Sequence, residues 1–265
     1  MTDETPPTIL VSTDERGVAT VTLNRPEIHN AFDDGVIRDL TGILFALEAD
    51  PAVKVVVLAA AGPSFSAGAD LAWMRRMAGY TEEQNVGDAI ALARLLASLD
   101  TFAKPTVARV QGAAFAGGLG LISCCDVAVG AEGAIFCVSE VKLGLVPATI
   151  SPYLIAAIGA RAARRYCLSA ERFSAAEAHR LGLLHEVVPA AQLDAALERI
   201  VASLLEGALG AQTHTKQLIA SVKDRPVTDT LMLYTAQAIA DARASGDGKE
   251  GVAAFFEKRK PGWRH

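Results

Sequence analysis

Gly112-Ala-Ala-Phe-Ala-Gly-Gly-Leu-Gly-Leu-Ile-Ser-Cys-Cys-Asp126 is the stretch on which the reading of this chain turns. It follows Thr106–Val110, a short run that reads as a buried strand, and it opens a helix near Gly117. Val127–Val129 then resumes as a second apolar strand. A strand, a glycine-rich turn, a helix and another strand form a β–α–β unit, which implies a right-handed crossover and parallel pairing. A helix N-terminus offers unpaired N–H donors at the positive end of its dipole, so an oxyanion can sit beside Gly117. Dinucleotide binding does not fit: the spacing is not G-x-G-x-x-G after a first strand, and no acidic residue closes a strand about twenty residues further on. The apolar stretch Gly112–Cys125 has only 14 residues, four of them glycine, and is too short and flexible to span a membrane.

The same alternation extends in both directions. Thr8–Ser12 and Val18–Asn24 read as antiparallel strands joined by Thr13-Asp-Glu-Arg-Gly17. Val36, Ile37, Leu40, Ile43, Leu44 and Leu47 recur at helical spacing before the apolar run Val55–Leu58. Thr81-Glu-Glu-Gln84 has capping-box spacing and leads a helix to about Leu99. From Ser151 onward helices dominate, over 151–158, 160–168, 174–181, 191–206, 211–222 and 226–244, with a second capping box at Ser174 and Glu177; Val187–Val188 is a late strand. The expected fold class is α/β, with mostly parallel strands and helices outside them.

Composition narrows the function. With 265 residues, 51% of them hydrophobic, the chain can bury a large single core. A net charge of −5 and a pI near 5.6, with basic residues scattered except at the C-terminus, lack the footprint of a nucleic-acid binder. The acidic start Met1-Thr-Asp-Glu-Thr-Pro-Pro7 resembles neither a secretory signal nor a transit peptide, so a cytoplasmic location is expected. Cys124, Cys125, Cys137 and Cys167 sit among apolar residues without metal-ligand spacing and are expected as buried free thiols. His29, His179, His185, His214 and His265 show neither metal spacing nor a nucleophile motif, and none receives a catalytic role.

Two further segments carry chemistry. Ser64-Phe-Ser-Ala-Gly-Ala-Asp70-Leu71 follows a buried strand and consists mostly of small residues, which let a ligand approach the backbone. It fits equally well a loop whose N–H groups face a ligand oxygen and a tight turn closed by a helix N-cap at Asp70. In Phe136-Cys-Val-Ser-Glu140-Val-Lys-Leu-Gly-Leu-Val-Pro147 a lone glutamate lies in an apolar run. Burial would raise its pKa and suit it to acid–base work, although the stretch on its own fits a solvated pair with Lys142 slightly better.

Together, in this order and spacing, the three segments resemble the crotonase family of enoyl-CoA hydratases and isomerases. The resemblance also takes in Asn24-Arg-Pro-Glu-Ile-His-Asn-Ala-Phe32, Ser174–Gly182 with the strand to Val188, and Phe256–Pro261, and so covers nearly the whole chain. Phe65-Ser-Ala-Gly-Ala-Asp-Leu-Ala-Trp-Met-Arg-Arg-Met77 and Ile122-Ser-Cys-Cys-Asp126 look more narrowly like bacterial 3-methylglutaconyl-CoA hydratases and their carboxygeranoyl-CoA relatives.

The resemblance implies a spiral of ββα repeats over residues 1–190 and a helical region over 191–265 through which family members form trimers or hexamers. It implies an acyl-CoA thioester substrate, with coenzyme A entering only as part of it and neither metal nor redox cofactor. The N–H groups of Ala69 and Gly117 would form an oxyanion hole and Glu140 would exchange a proton at the carbon beside the thioester carbonyl. Ala67, Asp70, Leu71 and Gly118 would contact the coenzyme A portion. Arg75 and Arg76 are candidates for a distal carboxylate or the CoA phosphates, and Lys258-Arg-Lys260 for those phosphates. The family's second glutamate would align with Gly120, where this chain has none. Adding water needs a proton taken from water and one given to carbon, so an orienting group from Glu82, Glu83 or Asp126, or a concerted addition, would be required. Shifting a double bond needs one base only, which makes a single-glutamate isomerase the competing expectation. A non-catalytic RNA-binding role is disfavoured by the acidic pI.

Overall fold

The computed structural model describes residues 6–264, so Met1–Thr5 and His265, on which part of the sequence reading falls, lie outside the described residues. Strands β1 (Ile9–Thr13) and β2 (Val18–Leu23) form the expected antiparallel pair, and Asp14 closes the turn by accepting from the amides of Arg16 and Val18. Helix α1 (Asp34–Ala49) is capped by Asp33, whose carboxylate accepts from the Val36 amide at 2.9 Å. It buries Val36, Ile37, Leu40, Leu44 and Leu47, the stripe the spacing predicts, while Ile43 is half-buried.

The remaining elements run in chain order β3 (Val55–Ala60), β4 (Ser64–Ser66), α2 (Leu71–Met77), α3 (Glu82–Asp100), β5 (Thr106–Val110), β6 (Ala113–Phe115), α4 (Gly117–Cys124), β7 (Val127–Ala131), β8 (Ile135–Cys137), a single 3-10 turn at Glu140–Leu143, α5 (Ser151–Ser169), β9 (Phe173–Ser174), α6 (Ala175–Leu181) and β10 (Glu186–Val188). Helices α7 (Leu193–Leu205), α8 (Leu209–Val222), α9 (Asp229–Ala244) and α10 (Gly246–Phe256) complete them.

Strands β1-β2-β3-β5-β7-β10 form the main sheet, parallel from β2 onward. A second sheet, β4-β6-β8-β9, is parallel apart from its last pair. The chain therefore repeats one unit three times: a main-sheet strand, a short second-sheet strand, then helix. This is the ββα spiral expected from the resemblance. The capping box at Thr81 and Gln84 is complete. The one at Ser174 is half made: Ser174 Oγ accepts from the Glu177 amide, but the Glu177 carboxylate turns to Tyr166 Oη and Arg180 instead. The break expected between 158 and 160 falls at Gly159, whose φ of 75° and ψ of 154° are non-helical, so that α5 consists of two helices joined at a kink. Helix α7 covers part of the main sheet, packing Val201 with Val18, Val55, Val57 and Val107.

Cys124, Cys125 and Cys137 are buried and Cys167 is half-buried, all unpaired. Among the described residues no helix is long and apolar enough to cross a membrane, and no group of three or more His, Cys, Asp or Glu is placed to hold a metal ion.

Candidate active site

The second sheet is what gathers the candidate residues. Ala69 lies three residues beyond the end of β4, Gly117 two beyond β6, and Glu140 three beyond β8. Because these strands are parallel and adjacent, their C-terminal ends form one edge, and three segments scattered over more than seventy residues arrive there together. The residues just before the two amides touch, since a Cβ built on Gly68 would lie 3.1 Å from the Ala116 methyl.

The loop carrying Ala69 is held by the Asn24–Phe32 segment. Phe32 and Ala69 form an isolated parallel bridge in which the Phe32 amide donates to Gly68 O at 2.9 Å and the Asp70 amide to Phe32 O at 3.0 Å. In that pattern the Ala69 N–H faces away from Phe32, and it makes no hydrogen bond among the described residues. Asn30, buried to 2%, donates to Ala61 O and Ser64 O, and accepts from the Arg25 amide. Ser66 Oγ donates to Asn30 O and accepts from the Gly68 amide. Asp70 caps α2 through the amides of Ala72 and Trp73 and pairs with Arg25 at 3.1 Å. Burial acts to raise the Asp70 pKa, but those two amides and the guanidinium outweigh it and hold the carboxyl below its ordinary value. Asp70 is thus the helix cap of the turn reading, and of this loop the Ala69 N–H is left without a partner among the described residues.

Gly117 begins α4, so its N–H has no intrahelical partner and makes no other hydrogen bond among the described residues. Ala116, immediately before it, adopts φ 48° and ψ −118°, a conformation rare for a residue with a Cβ. Its amide donates to Cys137 O at 2.9 Å, which ties the donor loop to β8. Gly118 packs on β4, where an added Cβ would stand 3.0 Å from Ser66.

Glu140 is half-buried at the start of the 3-10 turn. Its Oε2 is buried and has no hydrogen-bond partner among the described residues, and no ion pair with Lys142 forms. The solvated-turn alternative is thereby overturned. Burial pushes the carboxyl pKa up, and the amides of Glu140 and Ser139 offset part of that rise. An unpaired carboxyl oxygen whose pKa burial raises is suited to act as a general acid or base.

The other candidates divide. The Ala67 amide is spent on His29 O at 2.9 Å, and the Leu71 side chain is exposed. Arg76 pairs with Asp34 at the start of α1, whereas Arg75 is exposed without a partner among the described residues. Arg259 pairs with Glu250 and Glu257, and Arg264 with Glu206, folding the basic tail onto its own chain, while Lys258 and Lys260 stay exposed. Asp126 accepts from the Thr106 amide and hydroxyl and pairs with Lys216 at 2.7 Å, a structural tie at the opposite end of α4 from Gly117. A Cβ on Gly120 would stand 2.6 Å from Ile150 Cγ2 and 3.2 Å from Leu96 Cδ2, so apolar side chains crowd the space next to that backbone. Individual roles for Phe32, Asn30 and Arg25 are not readable from sequence and emerge only from the pairing of the Asn24–Phe32 segment with the Ala67–Asp70 loop, and that of Ile150 only from its contact with Gly120.

With this geometry in place, comparison with known proteins identifies the lineage. Residues 13–265 match the enoyl-CoA hydratase/isomerase family. The chain belongs to that family. It is similar to a crystal structure of an enoyl-CoA hydratase from Shewanella pealeana, at 45% identity and a TM-score of 0.94 over 97% of this chain and 96% of that one. AtuE of Pseudomonas aeruginosa gives 35% identity and a TM-score of 0.93 over 98% of this chain and all of its own. Human enoyl-CoA hydratase domain-containing protein 3, a mitochondrial protein, is 32% identical over 94% of this chain and 81% of its own length. The ββα spiral of this family member is the crotonase fold.

Proposed function

We propose that this enoyl-CoA hydratase/isomerase family member adds water to a 2-enoyl-CoA, with the amides of Ala69 and Gly117 as the oxyanion hole and Glu140 as the acid–base group. One observation carries the reading: two unpaired backbone donors share a sheet edge with a carboxyl oxygen that is buried and unpaired. The thioester oxygen gains negative charge only as the β-carbon is attacked, so fixed donors stabilise the transition state more than the substrate. A single donor of this kind contributes ~3–4 kcal/mol. As the water oxygen bonds to C3, the Glu140 carboxylate takes the water's proton and passes one to C2, so charge is conserved across the step. No metal or redox group is needed, and coenzyme A enters with the substrate.

For the acyl group we favour 3-methylglutaconyl-CoA or a related branched enoyl-CoA, supported by the resemblance of the Phe65–Met77 and Ile122–Asp126 segments. Arg75, an exposed cation without a partner among the described residues, is the candidate for the distal carboxylate, since Arg76 is engaged by Asp34. The exposed Leu143, Leu145 and Val146 beyond Glu140 suit an apolar acyl wall. Exposed Met232, Leu233 and Ile239 on α9 suit a subunit interface, for which a homotrimer or hexamer is proposed.

The crowding at Gly120 favours one second reading, a 3-enoyl-CoA to 2-enoyl-CoA isomerase with Glu140 as sole base. One spectrophotometric assay separates them. Hydration removes the conjugated enoyl-thioester absorbance from a 2-enoyl-CoA; isomerisation creates it from a 3-enoyl-CoA. Absence of both changes rejects the proposal.

A further inference from the structure

The two donors of the proposed oxyanion hole stand in different repeats of the spiral, yet one residue from a third segment touches both. The backbone of Phe32 brackets Ala69, donating to Gly68 O and accepting from the Asp70 amide. Its ring reaches Gly117 end-on: a Cβ built there would lie 2.3 Å from Cζ, 3.1 Å from Cε2 and 3.3 Å from Cε1. The tip of the ring therefore rests against the Gly117 backbone, and glycine is required at 117 because the ring occupies the place of a side chain. Phe32 is buried to 3% and belongs to the main core, so its ring cannot swing away. No intervening side chain has to keep register between the two donors.

We infer that Phe32 is a positioning residue that sets the relative placement of the Ala69 and Gly117 amides, its backbone holding the first and its ring backing the second. The inference rests on the oxyanion-hole reading above and extends it to a residue outside the donor pair and the acid–base group. A donor pair works only if both N–H groups aim at the place the oxyanion will occupy, and a displacement of about 1 Å can cost on the order of a hundredfold in rate. Methionine at 32 keeps the backbone bridge and most of the volume but replaces a rigid edge with a flexible chain.

The test uses the full chain as wild type, Phe32→Met and Phe32→Leu, made in parallel so that if one variant does not fold the other decides. Each is examined for steady-state hydration and for the absorption of bound 2,4-hexadienoyl-CoA, whose conjugated chromophore shifts to the red when its carbonyl oxygen is strongly hydrogen-bonded. The expected result is a clear red shift in wild type, a largely lost shift in the variants, and a kcat lowered about ten- to hundredfold with KM within about threefold. A purely structural role would lower thermal stability but leave the shift and kcat of the folded protein unchanged. A full shift with near-native kcat in either folded variant overturns the inference while leaving the oxyanion-hole reading intact. If wild type itself shows no shift, that reading fails and the role of Phe32 falls with it.

Discussion

Gly120→Ala tests whether the space beside α4 is filled as tightly as the geometry requires. In a helix interior, alanine replaces glycine with a gain of about 1 kcal/mol from backbone entropy. Here the new methyl would meet Ile150 Cγ2 at 2.6 Å, well inside the 3.4–4 Å of ordinary contact, and Leu96 Cδ2 at 3.2 Å. Ile150 is 1% exposed and Leu96 0%, so neither has open space to enter. Overpacking of this kind costs about 1–3 kcal/mol, which outweighs the helix gain or cancels it. The expected outcome is a loss of about 0–2 kcal/mol, the opposite of an ordinary helical glycine, for which the substitution would stabilise. Ile150→Ala alone opens a cavity and costs about 2–5 kcal/mol. In the double variant the added methyl partly fills that cavity, so its loss falls below the sum of the singles by about 1–3 kcal/mol. Urea unfolding of the four proteins of this cycle measures the coupling directly. Additivity within about 0.5 kcal/mol, or a single variant more stable than wild type by a full kcal/mol, would refute the reasoning. It would also remove the crowding at Gly120 that favours the isomerase reading.

Glu140→Gln keeps the shape and removes the titratable oxygen, so kcat is expected to fall by about 10²–10⁴ with acyl-CoA affinity nearly unchanged; near-native turnover in a steady-state assay would end the candidacy of Glu140. The same variant has a stability signature. Burial raises the Glu140 pKa, so the folded state holds a proton that the unfolded state has released, and stability declines as pH rises from the ordinary value of 4.5 through the folded pKa. Melting temperatures from pH 4.5 to 8 should therefore decline less in Glu140→Gln than in wild type. In wild type the acid limb of kcat/KM should fall above pH 4.5, and a midpoint at or below that value would count against burial as the controlling influence. Asp70 behaves in the opposite sense: its folded pKa is lowered, so its stabilisation is present above 3.8 and is lost as pH falls through the folded value. Arg25→Met removes the ties to Asp70, Asp33 and Ala31 O and should cost about 1–3 kcal/mol in chemical denaturation while lessening the acid sensitivity due to Asp70; unchanged stability would show that the segment pairing holds without them.

The parts of the fold that were legible in the sequence are those with a period. The α1 stripe from Val36 to Leu47, the capping box at Thr81 and the strand Thr106–Val110 need only local spacing and side-chain chemistry to be recognised. The N-cap at Asp70 and the helix opening at Gly117 are likewise local, whereas Ala69 as a donor is implied only by the family resemblance. The short strands β4, β6, β8 and β9 were not legible: two or three residues carry no alternation, and Ser64-Phe-Ser66 is buried throughout. Those strands form the sheet that brings Ala69, Gly117 and Glu140 to one edge.

The sequence by itself determined the alternation of strands and helices and which backbone groups lie at turns and helix starts, because these depend on neighbours within a few residues. Whether Glu140 would be solvated or buried, what Arg76 would pair with, and that Phe32 would touch both candidate donors were decided only by the tertiary structure. Those outcomes depend on contacts between residues tens of positions apart, where packing rather than local spacing selects the partner.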